Sequence, residues 1–431
     1  MTAKPLAIAC LLAACGGAEH VPFPVGSPDA GSEQLPPYNG DGDDVLVTVS
    51  IGGLTAPGIA VYFQGADSSP IASVATNATG TAGAAMTAGG FVTVVVPTAG
   101  GDRLFTFAAT QPGDHLRLEL DGPAQSVPSE IALTVSTLAA ASGYEIFTAC
   151  GSGTLDNAGS GTIATAGCST QLDFIVVALD DNGAPLASFV RPAVELSGPV
   201  NLSGSYAPYV QSSFAYRNVP PAVPFVGTYA AILGAQGRLV DASAGNPVSG
   251  VVTNTIDLPD GSGLGMLVAT TPTPAPEQLG EQVVLEWGPF SASYALDLAA
   301  AMQRAYAAPP SYVATSHGIA WDENGAGIVP QSVRASIRVF RPGAPEGSSW
   351  SWSILAPRQT APELAYPVLP VTGFDYNPAA ADTVTVGELT NVAAPGGYDA
   401  FRPAGFGDVM GLVAGASGRV VVQRLFTPEP L

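Results

Sequence analysis

The sequence contains almost no lysine and very little histidine. Lys4 is the only lysine among 431 residues, and the three histidines are His20, His115 and His317. Without its first four residues, the chain would have no lysine for Schiff bases or Ser–Lys pairs. The sequence also lacks the Gly-x-Ser-x-Gly elbow of hydrolases and the His-Glu-x-x-His motif of zinc proteases. We therefore predict no catalytic residue and no cofactor, although a Ser-His-Asp arrangement around His317 stays open as an alternative.

Positive charge is scarce throughout the chain. The formal net charge is −21, and charged residues make up only 11% of the sequence, against about 25% in typical soluble proteins. Such an acidic surface repels nucleic acid phosphates and anionic lipid head groups. We therefore expect no nucleic acid partner.

Long helical stretches are also scarce, because glycine and proline are abundant. The chain holds 51 glycines and 39 prolines, and both residues interrupt helices. Hydrophobic residues nevertheless reach 47%, which is enough apolar surface to offset chain entropy in a folded core. The composition predicts an all-β fold of many short strands, and the length favours two or three domains.

The first fifteen residues have the features of an export signal. Lys4 precedes an apolar run over residues 5–14 that is too short to cross a bilayer as a helix. The run ends in Leu-Ala-Ala-Cys at residues 12–15, which resembles the lipobox of bacterial lipoproteins. The resemblance implies that residues 1–14 are removed, that the Cys15 thiol receives a diacylglycerol and that the freed amine is acylated.

Lipidation predicts attachment to the bacterial cell envelope, with the lipid bilayer as partner. Each buried methylene of an acyl chain contributes about 0.8 kcal/mol, so two or three chains give effectively permanent attachment. Cys10, the competing site, would leave an apolar run too short for export. Gly16 replaces the aspartate that some envelopes use to retain lipoproteins in the inner membrane, so the resemblance favours the outer membrane, at its surface or periplasmic face. Residues 15–43 are rich in Pro, Gly and small polar residues, and we interpret them as a flexible tether with a reach of roughly 30 Å.

The first folded segment has the pattern of a β-sandwich. Residues 45–51, Val-Leu-Val-Thr-Val-Ser-Ile, alternate between two faces as a half-buried strand does. Residues 58–96 resemble the carboxypeptidase-regulatory-like, transthyretin-type β-sandwiches, through the paired strands around Phe63 and the alternating strand that begins at Phe91. The resemblance implies one such domain over residues 44–122.

The rest of the chain predicts two further β-rich domains, giving tandem Ig-like or transthyretin-like sandwiches after the signal and tether. We assign them to residues 123–271 and 272–431, joined by a proline-rich linker at residues 269–282. A short helix is predicted within residues 294–310, although the apolar residues there also fit a strand.

Two cysteines in the second domain predict a disulfide. Once Cys15 is acylated and Cys10 is removed, Cys150 and Cys168 are the remaining thiols of an exported chain. Closing their loop of about 19 residues would contribute on the order of 3 kcal/mol. A metal site is the weaker interpretation, because two thiolates do not complete a zinc shell.

Two tryptophans form the main candidate for ligand binding. The sequence Ser-Ser-Trp-Ser-Trp-Ser-Ile-Leu places Trp350 and Trp352 on one face of a strand. One interpretation is a glycan platform on which sugars stack. The other, which we favour, is half of a sandwich core, because large aromatic side chains usually serve burial.

Carboxylates beside tryptophans are the remaining candidates for chemistry. Glu286 precedes Trp287, while Asp322 and Glu323 follow Trp321. Two carboxylates can hydrolyse glycosidic bonds, but core tryptophans flanked by strand-end charges give the same pattern, and we favour that explanation. The acidic turns of the chain lack the twelve-residue calcium loop, and turns need Asp, Asn and Gly for backbone reasons. No metal site is predicted.

These observations lead to one expectation and its alternatives. The chain is expected to be a lipid-anchored envelope protein that acts as a non-catalytic binding, adhesion or scaffold module, with a glycan or protein partner. One alternative is a glycan-active hydrolase or its accessory subunit. Another is a partner in an envelope assembly or transport complex.

Overall fold

The computed structural model describes most of the chain from residue 44 onward. The predicted lipidation site Cys15, the predicted disulfide between Cys150 and Cys168, and the signal and tether lie outside the described residues. The described residues are 44–120, 130–148, 151–164, 171–221, 223, 225–234, 237–247, 252–259, 264–273, 279–289, 291, 293–343, 348–371, 373–406 and 417–426.

The first half of the described chain forms fifteen strands. Many alternate between buried and exposed residues, as β1 does with its fully buried Val45, Val47 and Val49. The strands are β1 (Val45–Ile51), β2 (Leu54–Thr55), β3 (Ala60–Gln64), β4 (Pro70–Ala75), β5 (Thr81–Ala84), β6 (Gly90–Val96), β7 (Asp102–Thr110), β8 (His115–Leu120), β9 (Glu130–Val135), β10 (Gly143–Thr148), β11 (Gly151–Leu155), β12 (Ser160–Ala164), β13 (Gln171–Leu179), β14 (Pro185–Glu195) and β15 (Val200–Leu202).

The second half adds fourteen strands and two short helices among the described residues, which confirms the all-β prediction. The helices are α1 (Leu298–Ala301) and α2 (Gly397–Phe401). The strands are β16 (Ala207–Arg217), β17 (Phe225–Gly234), β18 (Gly237–Pro247), β19 (Val252–Pro259), β20 (Leu264–Thr273), β21 (Leu279–Pro289), β22 (Ser293–Asp297), β23 (Ala305–Val313), β24 (Gly318–Asn324), β25 (Ser332–Arg341), β26 (Ser348–Pro357), β27 (Glu363–Ala365), β28 (Thr383–Ala393) and β29 (Gly418–Phe426).

A twelve-stranded sheet, here called the long sheet, joins distant parts of the chain. Its order is β18-β17-β20-β21-β29-β28-β25-β26-β7-β6-β3-β4. All neighbours are antiparallel except β26 and β7, which run parallel. Strands from all three predicted domains therefore share hydrogen bonds in one sheet.

Strands β20 and β21 include the described residues at both ends of the linker predicted at residues 269–282. β20 and β21 form an antiparallel hairpin in which Thr273 lies opposite Gly280, so the predicted boundary after residue 271 falls inside β20. Proline is tolerated there because Pro272 lies beyond Thr270, the last residue of β20 that pairs with β17. Only one neighbouring strand then requires backbone hydrogen bonds, as at a sheet edge.

One face of the long sheet is covered by a four-stranded sheet of β1, β2, β5 and β8. Val47 and Leu118 of this small sheet share a core with Val94, Phe107 and Val420 of the long sheet. Two sheets packed face to face in this way confirm the expected sandwich type of fold.

The other face of the long sheet is covered in two places. A three-stranded sheet of β23, β24 and β27 packs Ile319 against Trp352. Further along, α1 and the strands beside it pack Leu298 against Val421. Because both faces are covered, the run Val420–Val422 is apolar without alternation and is buried throughout.

A second sandwich lies in the middle of the chain. A sheet of order β11-β10-β13-β14-β16-β19, with β22 beside β16, faces a three-stranded sheet of β12, β9 and β15. Tyr144, Phe174 and Leu133 are buried in the core between them. The expectation of more than one sandwich core is therefore met among the described residues.

The helix predicted within residues 294–310 exists for a single turn. Asp297 caps α1 by accepting a hydrogen bond from Ala300 N at 3.1 Å. The residues on either side join β22 and β23, because pairing with β16 and β24 satisfies more backbone groups than one isolated turn. Among the described residues, no helix is long and apolar enough to cross a membrane.

Candidate functional site

The two tryptophans of the possible glycan platform face the core, in agreement with the interpretation that we favoured. Trp350 and Trp352 are only 3% and 0% exposed. Trp352 Nε1 donates to Thr106 Oγ1 at 2.8 Å, and its ring packs edge-on against Tyr366 at 5.1 Å. The sheet of β23, β24 and β27 covers Trp352. Phe374 and Tyr376 pack edge-on against Trp350, so neither ring is open to a stacking sugar. The two residues do share one face of a strand, as the spacing predicted.

The opposite face of the same strand lines an open cleft of about 350 Å³. We call it the Phe340 cleft, after the exposed aromatic ring at its edge. Strands β28, β25, β26 and β7 form its base. Five hydroxyl side chains line it, on Thr98, Ser349, Ser351, Thr383 and Thr385.

Strand register builds the cleft from two rows of side chains. In the first row, Phe340 of β25 lies opposite Ser349 of β26 on one side and Thr383 of β28 on the other. The second row passes through Arg338, whose neighbours lie two residues further along the same strands. Residues directly opposite each other in a sheet point to the same face. The cleft is therefore a strip of open sheet surface.

Phe340 is 48% exposed although it belongs to a central strand. Val333, Ala335, Ile337 and Val339 of β25 face the covered side, so Phe340 must face the other side. There the small sheet of β1, β2, β5 and β8 packs against other strands, and no β25 residue belongs to that core among the described residues. The aromatic ring is left beside solvent and hydroxyl groups.

A glycine turn closes one end of the cleft. Gly101 has a φ of +113°, and a β-carbon at this position would lie 2.2 Å from Ser349 O. The turn is held by Thr98, whose hydroxyl donates to Gly101 O and whose carbonyl accepts from Gly101 N. A side chain at Gly101 would therefore push β7 away from β26 and reshape the cleft.

Behind the cleft, Arg341 fastens the segment 366–382 to the sheet. Its guanidinium forms an ion pair with Asp382 at 2.8 Å and donates to Asp375 O and Asn377 O at 2.7 and 2.9 Å. The hydrogen bond from Arg341 lowers the pKa of the Asp382 carboxyl. Arg341 also lies 4.9 Å over the Trp350 ring. The inner side of the strand is therefore held rigidly while the outer side is open.

One acidic residue, Asp102, lines the cleft among the described residues, and register places it opposite Trp350 of the covered face. Asp102 accepts a hydrogen bond from the Tyr376 hydroxyl. Burial raises the pKa of the Tyr376 phenol, and the hydrogen bond to Asp102 raises it further. The Asp102 carboxylate thus has a structural partner.

The acids beside tryptophans are engaged in structural contacts. Glu286 forms an ion pair with Arg419 at 2.5 Å. Glu323 accepts from Trp321 Nε1 at 2.9 Å and forms a buried ion pair with Arg358 at 3.2 Å. Glu286 belongs to the long sheet and Glu323 to the sheet that covers it. The structure does not join them in one cleft among the described residues.

The histidines have no serine partner in the described contacts. His115 is exposed on β8, and His20 lies outside the described residues. His317 occupies a turn with φ of +54°, and its ring packs edge-on against Tyr312 and Trp352. Burial lowers the pKa of His317. Its Nδ1 atom is buried with no hydrogen-bond partner among the described residues.

The acidic turn at residues 180–183 is stabilised by hydrogen bonds from the backbone to Asp180. Asp180 Oδ1 accepts from Asn182 N and Ala184 N, both at 2.8 Å, and these bonds lower the pKa of Asp180. This arrangement is an Asx turn. Within the described ranges, no three His, Cys, Asp or Glu side chains are grouped so as to hold a metal ion.

Comparison with known proteins gives only distant structural matches. No family model and no curated protein matches the sequence. Among solved structures, the chain is similar to the Bacillus anthracis TIE protein at 12% identity and a TM-score of 0.16, covering 59% of this chain and 50% of that one. It is also similar to a leucine-rich repeat protein from Bacteroides thetaiotaomicron VPI-5482 at 10% identity and a TM-score of 0.17, covering 38% and 23%. The chain thus spans half or less of these structures.

The sequence contained one signal for the cleft that our sequence analysis missed. Along β25 the apolar residues Val333 to Val339 alternate with polar ones, and Phe340 breaks this alternation by falling on the polar face. An aromatic residue out of phase in this way must be exposed or covered by another element. The position of Phe340 in the apolar–polar alternation of β25, rather than the presence of tryptophan, indicates the candidate binding surface.

Proposed function

We propose that this protein is a lipid-anchored, non-catalytic glycan-binding module of the bacterial envelope, and that the Phe340 cleft is its binding surface. The observation that carries the proposal is Phe340 itself, an aromatic ring 48% exposed in a cleft lined by five hydroxyls. Sugars present apolar faces that stack on aromatic rings and hydroxyls that exchange hydrogen bonds with Ser and Thr. A pocket that combines apolar surface with a few convergent polar groups is the first candidate for a ligand site.

The anchoring part of the proposal rests on the amino-terminal sequence. Leu-Ala-Ala-Cys at residues 12–15 supplies the lipidation pattern, and residues 15–43 supply a tether. A diacylated and N-acylated Cys15 would hold the protein in the bilayer. The tether would then present the sandwiches away from the lipid heads, on the surface or periplasmic side of the outer membrane.

Binding is favoured over glycan hydrolysis by the charges in the cleft. Glycoside hydrolysis by the usual mechanisms requires two carboxylates flanking the bond. The described lining supplies Asp102 alone, and Asp102 is held by Tyr376. The cleft therefore has donors, acceptors and a stacking ring, but only one candidate acid.

The test measures binding of the full-length protein, purified in nonionic detergent, to a panel of soluble polysaccharides. Phe340→Ala is expected to weaken binding about tenfold, as loss of a stacking contact of about 1.4 kcal/mol would. Leu54→Ala is the matched control, because Leu54 is 62% exposed on β2, away from the cleft. Equal binding by Phe340→Ala and the parent chain would refute the assignment of the cleft.

Reducing ends are measured in the same incubations. Their release by the full-length protein would support the hydrolase alternative over the binding module. A further measurement treats intact cells with an arginine-specific protease, for which the thirteen arginines provide sites. Release of peptides before lysis would place the sandwiches outside the cell, whereas protection until lysis would place them in the periplasm.

A further inference from the structure

We infer that the ligand of the Phe340 cleft is an acidic glycan, whose carboxylate or sulfate groups are recognised by Arg103 and Arg338. The inference rests on the proposed function, because it names the chemical class of ligand for the same surface. Both arginines line the cleft and both are exposed. Arginine is the side chain best suited to planar, charge-assisted recognition of such groups.

The two arginines lie in one row across the sheet. Register places Arg338 opposite Ser351, and Ser351 opposite Arg103, so one strand separates them. Neighbouring strands are about 4.8 Å apart, which puts the two α-carbons about 10 Å from each other. This separation suits two acidic groups carried by different sugars of one extended chain.

Phe340 lies beside this row and completes the recognition surface. It is two residues from Arg338 on the same strand, and alternate residues of a strand share a face. A glycan chain lying along the row can therefore stack a sugar on Phe340 while its acidic groups meet the arginines. Ser351 lies between the two arginines and offers a hydroxyl to the sugar between the acidic groups.

Arg103 is ordered by an aromatic neighbour. Its Cζ atom lies 5.1 Å from the centre of the Phe105 ring, and Phe105 is buried in the core beneath. Stacking engages the flat face of a guanidinium, whereas its N–H donors point outward in the plane of the group. This geometry limits the conformational entropy that Arg103 loses when it binds an anion.

The negative charge of the whole chain restricts the binding of acidic polymers to the cleft that contains the arginines. A formal net charge of −21 repels polyanions at long range. The described lining of the cleft nevertheless includes two arginines and one acidic residue, Asp102, whose carboxylate is bound by Tyr376. An acidic polymer is therefore recognised only where local ion pairs overcome the general repulsion. A nucleic acid, which is bound through many phosphate contacts, finds too few cations on this surface.

The experiment compares acidic polysaccharides with neutral counterparts of the same backbone. The full-length chain in nonionic detergent is titrated with polygalacturonate and its methyl ester, and with hyaluronan and its carboxyl-reduced form. We expect at least one acidic polymer to bind about tenfold tighter than its neutral counterpart. Arg103→Gln and Arg338→Gln are each expected to remove about tenfold of the acidic affinity and to leave the neutral affinity unchanged.

The control keeps the change in net charge constant. Arg191 is exposed on β14 in the middle sandwich, so Arg191→Gln removes the same charge away from the cleft and should bind like the parent chain. A general effect of charge would lower the affinity of all three variants equally and would overturn the inference.

Failure of the inference and failure of the proposed function give different results. If Phe340→Ala weakens binding but acidic and neutral polymers bind equally well, the cleft binds glycans and the acidic class is wrong. If Phe340→Ala binds every polymer as the parent chain does, the proposed function itself fails. Equal affinity of the two arginine variants and the parent chain for every acidic polymer also overturns the inference.

Discussion

Arg402 forms a buried ion pair with Asp114, 288 residues earlier in the chain. Arg402 is 4% exposed, and its Nε and Nη2 atoms lie 2.8 Å from the two carboxylate oxygens of Asp114. The same guanidinium donates to Ala109 O at 3.2 Å. The pair therefore fastens the turn that follows α2 to the turn between β7 and β8.

Removing one partner of this pair should be costly. Asp114→Ala leaves Arg402 buried with only the carboxylate of Asp399, whose side chain is 79% exposed. We expect a loss of about 3 kcal/mol in the free energy of unfolding, measured by urea denaturation, because an uncompensated buried charge is destabilising.

Asp399→Ala is the matched control for the Arg402 pair. It removes an exposed partner of the same arginine and should cost less than about 1 kcal/mol. Equal losses in the two variants would contradict the view that burial determines the strength of this contact.

Trp352 should matter for stability and not for glycan binding. Trp352→Phe removes the hydrogen bond to Thr106 and leaves a cavity in the core, which we expect to cost about 1–3 kcal/mol of unfolding free energy. Binding by the Phe340 cleft should be unchanged, because Trp352 faces the other side of the sheet. Weaker binding with unchanged stability would restore the platform interpretation.

His317 should make stability sensitive to acid. Burial lowers the pKa of His317 in the folded state, so the folded state binds a proton less readily than the unfolded state does. Above the ordinary histidine pKa of about 6.5, both states are neutral and stability is unaffected. As the pH falls below that value, the unfolded state binds a proton first and the free energy of unfolding decreases.

The variant His317→Asn tests this pH dependence. Asparagine tolerates the positive φ of this position and does not titrate. The loss of unfolding free energy between about pH 7.5 and about pH 5.5 should be smaller in this variant, while His115→Asn, on the exposed face of β8, should keep the full loss. A loss as large in His317→Asn as in the parent chain would assign the acid sensitivity to other groups.

Cys15 should determine attachment to the membrane. Cells grown with labelled palmitate should yield a labelled protein that partitions into detergent, and Cys15→Ser should lose both properties because the acyl chains supply the affinity. Cys10→Ser should remain labelled, since Cys10 lies in the segment predicted to be removed. A labelled Cys15→Ser protein would contradict the lipobox assignment.

Cys150 and Cys168 should form a disulfide. Alkylation of the denatured, unreduced protein followed by mass measurement should find both thiols blocked. Replacing both cysteines with serine should lower the free energy of unfolding by about 3 kcal/mol, because the unfolded chain regains the entropy that closing a loop of about 19 residues had removed. Alkylation of either thiol without reductant would refute the pairing.

The sequence by itself determined local conformation and anchoring patterns. Alternation in β1 and in β26 follows from the two-residue period of a strand, so Val45 to Ile51 and the Trp350–Trp352 pair could be placed on common faces without any tertiary information. Abundant glycine and proline limited helices to single turns such as α1. Both are local effects, since they depend on each residue and its near neighbours.

The tertiary structure decided which face of each strand was open and which strands were neighbours. The pairing of β7 with β26 joins residues about 250 positions apart, and no local pattern encodes such a choice. On one face, the sheet of β23, β24 and β27 covers Trp352. On the other face, the small sheet packs against other strands, so Phe340 on the adjacent strand is exposed. A strand specifies its two faces, but only the layers packed against it determine which face meets solvent and therefore where a ligand can bind.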